Sequence, residues 1–312
     1  RDIVSRSMFQ EMQAGRTGPM GGVFLEMAHL GPENVARQFK GMVKRCADCG
    51  FDLAAGRVEV VPTAHYMMGG IEFDLSCRTD WNRLFVAGED CGGVHGANRL
   101  GGNGVANSTV FGGIAGDSMA AFLSDGAAPP DPDLRVVDEE ITRALSPFAR
   151  PASNATADLN VCRDRLYRLM WGKVGIVRDA EGLSAALGEL EDLDNEVQAL
   201  RLPDAQRSFN LTWHDRLNLE NQILVSKIIT VAARARENSC GAHFREDFSE
   251  PGPLEATKFT SVRVRGGRVE IENKPVAFEL VRPGETLVND GSSSSLSAAA
   301  NDKPGSVGAP VA

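Results

Sequence analysis

PTAHYMMGGIEFDLSCRTDWNRLFVAGEDCGGVHGANRLGGNGVANSTVFGG, from Pro62 to Gly113, holds most of what the chain says about its architecture. His65 stands just ahead of a glycine pair, Gly69 and Gly70. Leu84-Phe85-Val86-Ala87 is a short apolar run, and it predicts a buried strand that ends at Gly88-Glu89. A loop rich in glycine follows (Gly92, Gly93, Gly96, Gly101, Gly102, Gly104), with Arg99 between Asn98 and Leu100. From Val105 to Met119 small and apolar residues run without a proline, so a closely packed helix is expected. Strand, glycine loop and helix is how α/β proteins bring backbone N–H groups and a helix N-terminus up to a ligand. The planar donor fork of Arg99 suits a carboxylate, and the glycines let a substrate come close. Glu89, at the strand's end, stands where such folds place ligand contacts. His29 and His95 read as structural.

The rest of the chain frames this segment. At 312 residues it exceeds one average domain and can bury a substantial core. A net charge of −9 argues against nucleic-acid binding, which calls for a basic face. No apolar run reaches the length of a membrane span, and no signal peptide opens the sequence, so direct membrane insertion is not expected. Six cysteines without a dense framework suggest reduced thiols in a cytosolic compartment. Cys46 and Cys49 form a CxxC with no partner pair; they read as helix-face or buried thiols, and no metal is expected.

Upstream, Ile3, Val4, Met8, Phe9 and Met12 recur at helical spacing up to Gly15. Val23 to Met27 reads as a strand, and a helix is expected over Glu33 to Asp48. Downstream, Ser124 to Pro132 is turn-rich and reads as a linker. Asp138 to Leu200 and Trp213 to Glu237 are largely helical in pattern. Leu183, Leu187, Leu190 and Leu193 form one stripe, and Leu217, Leu224, Ile228 and Val231 another, as in an antiparallel bundle. From Phe259 the period changes to two: Thr260–Arg265 and Arg268–Glu272 around Gly266-Gly267 predict a β-hairpin. The tail from Asn289 has no core pattern and is expected to be disordered.

HYMMGGI, LFVAGE and HGANRLGGN, in this order and at these spacings, resemble the flavoprotein subunits of succinate dehydrogenase and fumarate reductase, whose superfamily includes L-aspartate oxidase. RDIVSR…VFLEMAHLG resembles the segment that closes that family's capping domain, and WGKVGIVRDAEGL and ENSCGAHFREDF resemble the start and end of its helical domain. The resemblance implies that His65 and Arg99 bind a carboxylate of a C4-dicarboxylate substrate. It implies that Arg1 is the catalytic proton shuttle, that Glu89 contacts the FAD ribityl chain, and that the backbone of Gly104 and Val105 contacts the flavin ring. Most members carry Ser-Leu at the last two positions, a change that main-chain contacts tolerate. Cys240 replaces an arginine of the closing motif.

The implied fold is the C-terminal portion of an α/β flavin domain (a truncated Rossmann-like FAD-binding domain with the end of a capping domain). An all-α helical bundle and a small C-terminal β-hairpin follow. The expected divisions are capping domain 1–58, FAD-binding domain 59–124, linker 125–137, bundle 138–250, β region 251–288 and tail 289–312. No strand–GxGxxG–helix unit occurs, so the chain reads as a fragment that alone is inactive. Its parent is expected to interconvert succinate and fumarate, or a similar C4-dicarboxylate, by hydride transfer to or from flavin N5. The expected partners are the dicarboxylate and an iron–sulfur subunit, with a membrane anchor through it. That implies a cytoplasmic protein, peripheral on the inner face of the membrane. Two alternatives stand beside this reading. One is an L-aspartate oxidase-type flavoenzyme, which commonly shows a cysteine where Met68 stands; the other is a non-catalytic interaction fragment.

Overall fold

The computed structural model describes residues 2–126, 129–149, 158–202, 206–265 and 268–285. Arg1, the Gly266-Gly267 turn and the tail 289–312 therefore lie outside the described residues.

Helix α1 (Asp2–Gln13) buries Phe9, whose ring meets Trp171 edge-on at 5.4 Å. Strand β1 (Val23–Glu26) pairs antiparallel with β2 (Arg57–Val60), Val23 opposite Val60. Between them the expected single helix is two, α2 (Pro32–Gln38) and α3 (Lys40–Asp48). Phe39 leaves the helical region, with φ −115° and ψ 32°. Gly41, in the first turn of α3, is the weakest non-proline helix former and lowers the cost of the break. Val35, Leu53 and Val58 form a small core there, with Val43 and Cys46 packed against it.

The predicted strand at Leu84 to Ala87 is not one. Only Phe85 makes a bridge, to Arg78. Val86 N donates to Cys77 O at 3.0 Å and Thr79 N to Leu84 O at 3.0 Å. Val86 is buried but Leu84 is exposed. A central strand needs a ladder partner along its whole length, and the described residues offer this run a single short segment.

The helix after the glycine loop, α4 (Asn103–Ser124), extends past both expected ends. Helix α5 (Leu134–Ala149) begins inside the stretch read as linker. Helices α6 (Leu159–Lys173), α7 (Ala180–Ala199) and α8 (Leu211–Ala235) form the bundle. Each starts on a side-chain cap that satisfies an orphan N–H: Asp158 to Asn160 N at 2.8 Å, Asp179 to Gly182 N at 2.7 Å, and Asn210 to Trp213 N at 2.9 Å. Leu166, Leu183, Leu190, Leu193, Val197, Leu219 and Ile223 fill the core.

The α7 stripe faces inward much as its periodicity predicts, but α8 is rotated from its expected face. Leu224 is exposed, and the buried side carries Arg216, Leu219, Glu220, Ile223, Ser226, Thr230 and Ala233. Arg216 and Glu220 bridge at 2.6 Å, and half-exposed Arg143 reaches the other oxygen of Glu220 at 2.5 Å, so the buried charges enter the interior paired. A stripe of aliphatic residues could not reveal that.

Strands β3 (Lys258–Arg265) and β4 (Arg268–Pro275) form the predicted antiparallel hairpin, Val262 opposite Ile271. The hairpin docks on the 72–80 segment through charge: Lys274 bonds Glu72, and Arg263 meets Asp80 at 2.5 Å. The observed architecture is thus the expected one, an α/β flavin-domain portion followed by a helical bundle and a hairpin.

Candidate active site

Close approach of backbones builds the site. Ile71 N donates to Asp90 O at 2.8 Å, and Gly92 N to Ile71 O at 3.0 Å. A Cβ at Gly70 would stand 2.3 Å from Asp90 O, and one at Gly92 would stand 2.9 Å from Gly70 N. Gly70 and Gly92 therefore let the 65–71 segment lie against the 88–92 turn. That places His65 and Tyr66 over the start of α4, where Gly104 admits the tyrosine: a Cβ there would meet the ring at 2.8 Å.

The result is an open cleft of about 640 Å³ lined by His65, Tyr66, Glu89, Arg99, Gly104 and Val105, with Gly101 and Gly102 at its edge. Five of the six residues singled out by sequence share it, and Arg1 lies outside the described residues. Arg99 is 8% exposed. Its guanidinium stacks over the Tyr66 ring at 4.5 Å, Nη1 donates to Leu100 O at 3.2 Å, and its backbone N meets Met68 Sδ at 3.0 Å. Nε is buried with no hydrogen-bond partner among the described residues. A buried donor left unmade costs on the order of 1–3 kcal/mol, more when charged, so the geometry suits an anion that enters.

Tyr66 in the cleft, and His95 and Asn107 behind it, carry no signal that single-residue reading picked out. Tyr66 Oη lies 3.2 Å from His95 Nε2 and accepts from Asn107 Nδ2 at 3.2 Å. Asn107, buried on α4, also donates to Gly88 O at 2.9 Å. Burial, and then the charge of Arg99, lower the His95 pKa, so the imidazole is neutral at pH 7. The available signal was Asn107 itself, an amide in a helix of small and apolar residues.

Two further contacts tie distant parts of the chain to the Arg99 loop. Asn98 Nδ2 bonds Asp2 Oδ1, which fixes the head of α1 beside it. On the other side Ala242 N donates to Ala97 O at 3.0 Å, and a Cβ at Gly241 would stand 2.2 Å from that oxygen. Gly241 has φ +60°, so glycine is needed there for both reasons. The motif after α8 is itself rigid. Arg245, 1% exposed, pairs with Asp247 at 2.6 Å and donates to the carbonyls of Ala233 and Arg234 at 3.1 and 3.0 Å, closing the helix end. Arg178 Nη1 meets His243 Nδ1 at 2.7 Å.

Comparison with known proteins bears on the same residues. A family profile described as FAD binding domain matches residues 1–105, and one described as fumarate reductase flavoprotein C-term matches residues 163–288. The chain is 32% identical to an L-aspartate oxidase of Rhodospirillum rubrum over 263 residues, 84% of this chain and 82% of that one. It belongs to the succinate dehydrogenase and fumarate reductase flavoprotein family. A fumarate reductase (CoM/CoB) chain of Methanothermobacter marburgensis is 37% identical over 253 residues, 81% of this chain and 45% of that one. The Mycobacterium smegmatis Sdh1 complex in the apo form matches with a TM-score of 0.80 at 32% identity, over 88% of this chain and 47% of that chain. The chain thus spans about half the length of most curated relatives it matches.

Members of this family are FAD-dependent oxidoreductases, and the cleft fits that cofactor. A Cβ at Gly101 or Gly102 would meet nothing within 4 Å, so the rim is open to a flat ligand. Gly102, in the left-handed region at φ +85°, starts α4 with no side-chain cap; Asn103 N donates to Leu100 O at 3.3 Å, and the amides of Gly104 and Val105 are left to a partner in the cleft. Glu89 keeps one oxygen on Met67 N at 2.7 Å, which orients its carboxylate. Among the described residues no cluster of His, Cys, Asp and Glu could hold a metal.

Proposed function

We propose that this chain is the substrate-holding part of an FAD-dependent oxidoreductase that interconverts succinate and fumarate, or a closely similar C4-dicarboxylate. The observation that carries the reading is Arg99, a buried guanidinium with an unpartnered Nε in a cleft that also holds His65 and Glu89. FAD, when bound, supplies the hydride acceptor or donor at N5. Arg99 and His65 clasp one carboxylate, and their donors stabilise the charge that develops at the adjacent carbon. Tyr66, stacked under Arg99, holds the guanidinium in plane. Glu89 receives the ribityl hydroxyls, and the main chain of Gly104 and Val105 meets the flavin ring. Arg1 moves the proton on the neighbouring substrate carbon; the Asp2–Asn98 bond, which keeps the head of α1 at the Arg99 loop, supports that assignment.

An iron–sulfur subunit is the proposed electron partner, with a membrane anchor through it, at the cytoplasmic face. No helix among the described residues is long and apolar enough to cross a membrane. The test is dye-linked turnover of the flavin-loaded enzyme that contains this chain, with succinate, fumarate and L-aspartate. Turnover of succinate or fumarate is expected. Turnover of aspartate alone would replace this reading with amine oxidation, and turnover of none would leave an interaction fragment.

A further inference from the structure

His65 and Arg99 reach the cleft from two separate segments, and one side chain bridges the main chains that carry them. We propose, building on the reading of His65 and Arg99 as a carboxylate clasp, that Met68 is a positioning residue. Its thioether holds the main chain of Arg99 and so sets where the guanidinium stands opposite His65.

Three successive residues of the Arg99 loop are each held by a different part of the chain. Ala97 O accepts from Ala242 N beyond the end of α8, and Asn98 bonds Asp2 at the head of α1. Arg99 N donates to Met68 Sδ at 3.0 Å. Only the third hold ties the arginine to the segment that carries its partner in the clasp. A thioether is a weak acceptor, yet it is the one partner that Arg99 N has among the described residues. Beyond Arg99 the loop is loosely packed: a Cβ at Gly101 or Gly102 would meet nothing within 4 Å, and Gly102 turns through the left-handed region.

Tyr66 and Met68 are half-buried while Met67 between them is exposed, and both turn to Arg99. Tyr66 lies under the guanidinium at 4.5 Å, and Met68 takes the backbone N. The arginine is thus gripped at both ends from one short run, with Nη1 lying 3.6 Å from where a Cβ on Gly104 would stand. The same run is pinned to the opposite wall of the cleft, by Met67 N on Glu89 Oε1 at 2.7 Å and Ile71 N on Asp90 O at 2.8 Å. Loss of the sulfur therefore leaves the 65–71 segment in place and frees the backbone of Arg99. The guanidinium then drifts from its station opposite His65 while both motifs stay folded.

The test uses the flavin-loaded enzyme that contains this chain, with malonate as the probe, a dicarboxylate whose single central carbon leaves no C–C bond to desaturate. Calorimetry reads malonate binding, and deuterium exchange reads the Arg99 amide. Met68→Leu is a swap of similar volume that cores tolerate, and it removes the acceptor. Met68→Gln keeps the reach and puts a carbonyl oxygen in the sulfur's place. Met68→Leu is expected to weaken malonate about ten-fold, to speed Arg99 exchange by a similar factor, and to raise KM for succinate with little change in kcat. Met68→Gln should bring malonate binding and exchange back to within about three-fold of the parent. An Arg99 amide or a malonate affinity that leucine leaves untouched overturns the proposal. So does a glutamine variant that restores nothing, since packing rather than the acceptor would then be at work. A parent enzyme that binds no malonate fails the clasp itself, and with it this role for Met68; loss confined to the leucine comparison fails Met68 alone.

Discussion

Arg99 shows how one side chain is prepared before any substrate arrives. Its guanidinium is 8% exposed, stacked on Tyr66 and short of a partner at Nε. Loss of a charged donor to a developing anion costs about 2.7–4 kcal/mol, or about 10²–10³-fold in rate. Arg99→Gln in the flavin-loaded enzyme is therefore expected to lower kcat/KM for succinate by that factor while leaving the flavin absorption spectrum unchanged. Arg99→Lys should recover little, since a point charge cannot replace a planar fork. Tyr66 separates two contributions. Tyr66→Phe keeps the stacking face and loses the hydroxyl that His95 and Asn107 share, so KM should barely move while stability falls by about 1 kcal/mol. Tyr66→Leu removes the face as well, and KM should then rise several-fold; steady-state kinetics beside urea melts distinguish the two.

Elements are set by glycines whose reasons differ, and thermodynamics can tell them apart. Gly70 lies where a Cβ would collide with Asp90 O, whereas Gly112 on α4 has nothing within 4 Å. Gly70→Ala must part the 65–71 segment from the 88–92 turn, and we expect a loss of about 3 kcal/mol or more in urea unfolding. Gly112→Ala should instead stabilise by roughly 0.5–1 kcal/mol, the ordinary helix preference for alanine. Sequence carried both glycine-rich motifs plainly but not which glycine meets what, because close approach is a property of two segments at once. For the same reason Leu84 to Ala87 read as a strand: its composition is right, and the ladder partner that decides the matter is not encoded locally. The hairpin β3–β4 was legible because its partner is its own neighbour in the chain. Helix α8 was legible as a helix but not in its rotation, since the Arg216–Glu220 pair is polar residue by residue and buried only as a unit.

At the scale of the whole molecule, the end of the bundle and the candidate site form one body, and pH should reveal it. Burial, with Arg178 beside it, pushes the His243 pKa down from 6.5 to about 4. The unfolded chain therefore binds a proton between these values that the folded chain refuses. Stability is full above pH 6.5, falls as pH drops from there toward 4, and from this group levels off below, a loss on the order of 3 kcal/mol. Asp247 works at a lower pH: its hydrogen bond to Arg245 lowers its pKa, so the stability it adds is present above its unfolded value and is lost as pH falls through the folded one. His243→Gln should flatten the first step and leave the second, as thermal melts across pH 4 to 7 would show. Most of the cleft's membership was readable from motif resemblance, as His65, Glu89, Arg99, Gly104 and Val105 all line it. Tyr66, Asn107 and His95 were not, because their importance lies in mutual hydrogen bonds between residues far apart in sequence.

The single bond from Ala242 N to Ala97 O, made over a glycine that admits no Cβ, has a consequence for recombination within the family. A chimera that takes its helical bundle from one relative and its Arg99 loop from another crosses a seam where these two peptides lie in direct contact. Parents that differ there by a single side chain should yield hybrids whose two halves each fold but do not register. The natural crossover point for exchange is therefore not the boundary between bundle and flavin domain but a cut that keeps residues 95–99 and 240–243 from the same parent.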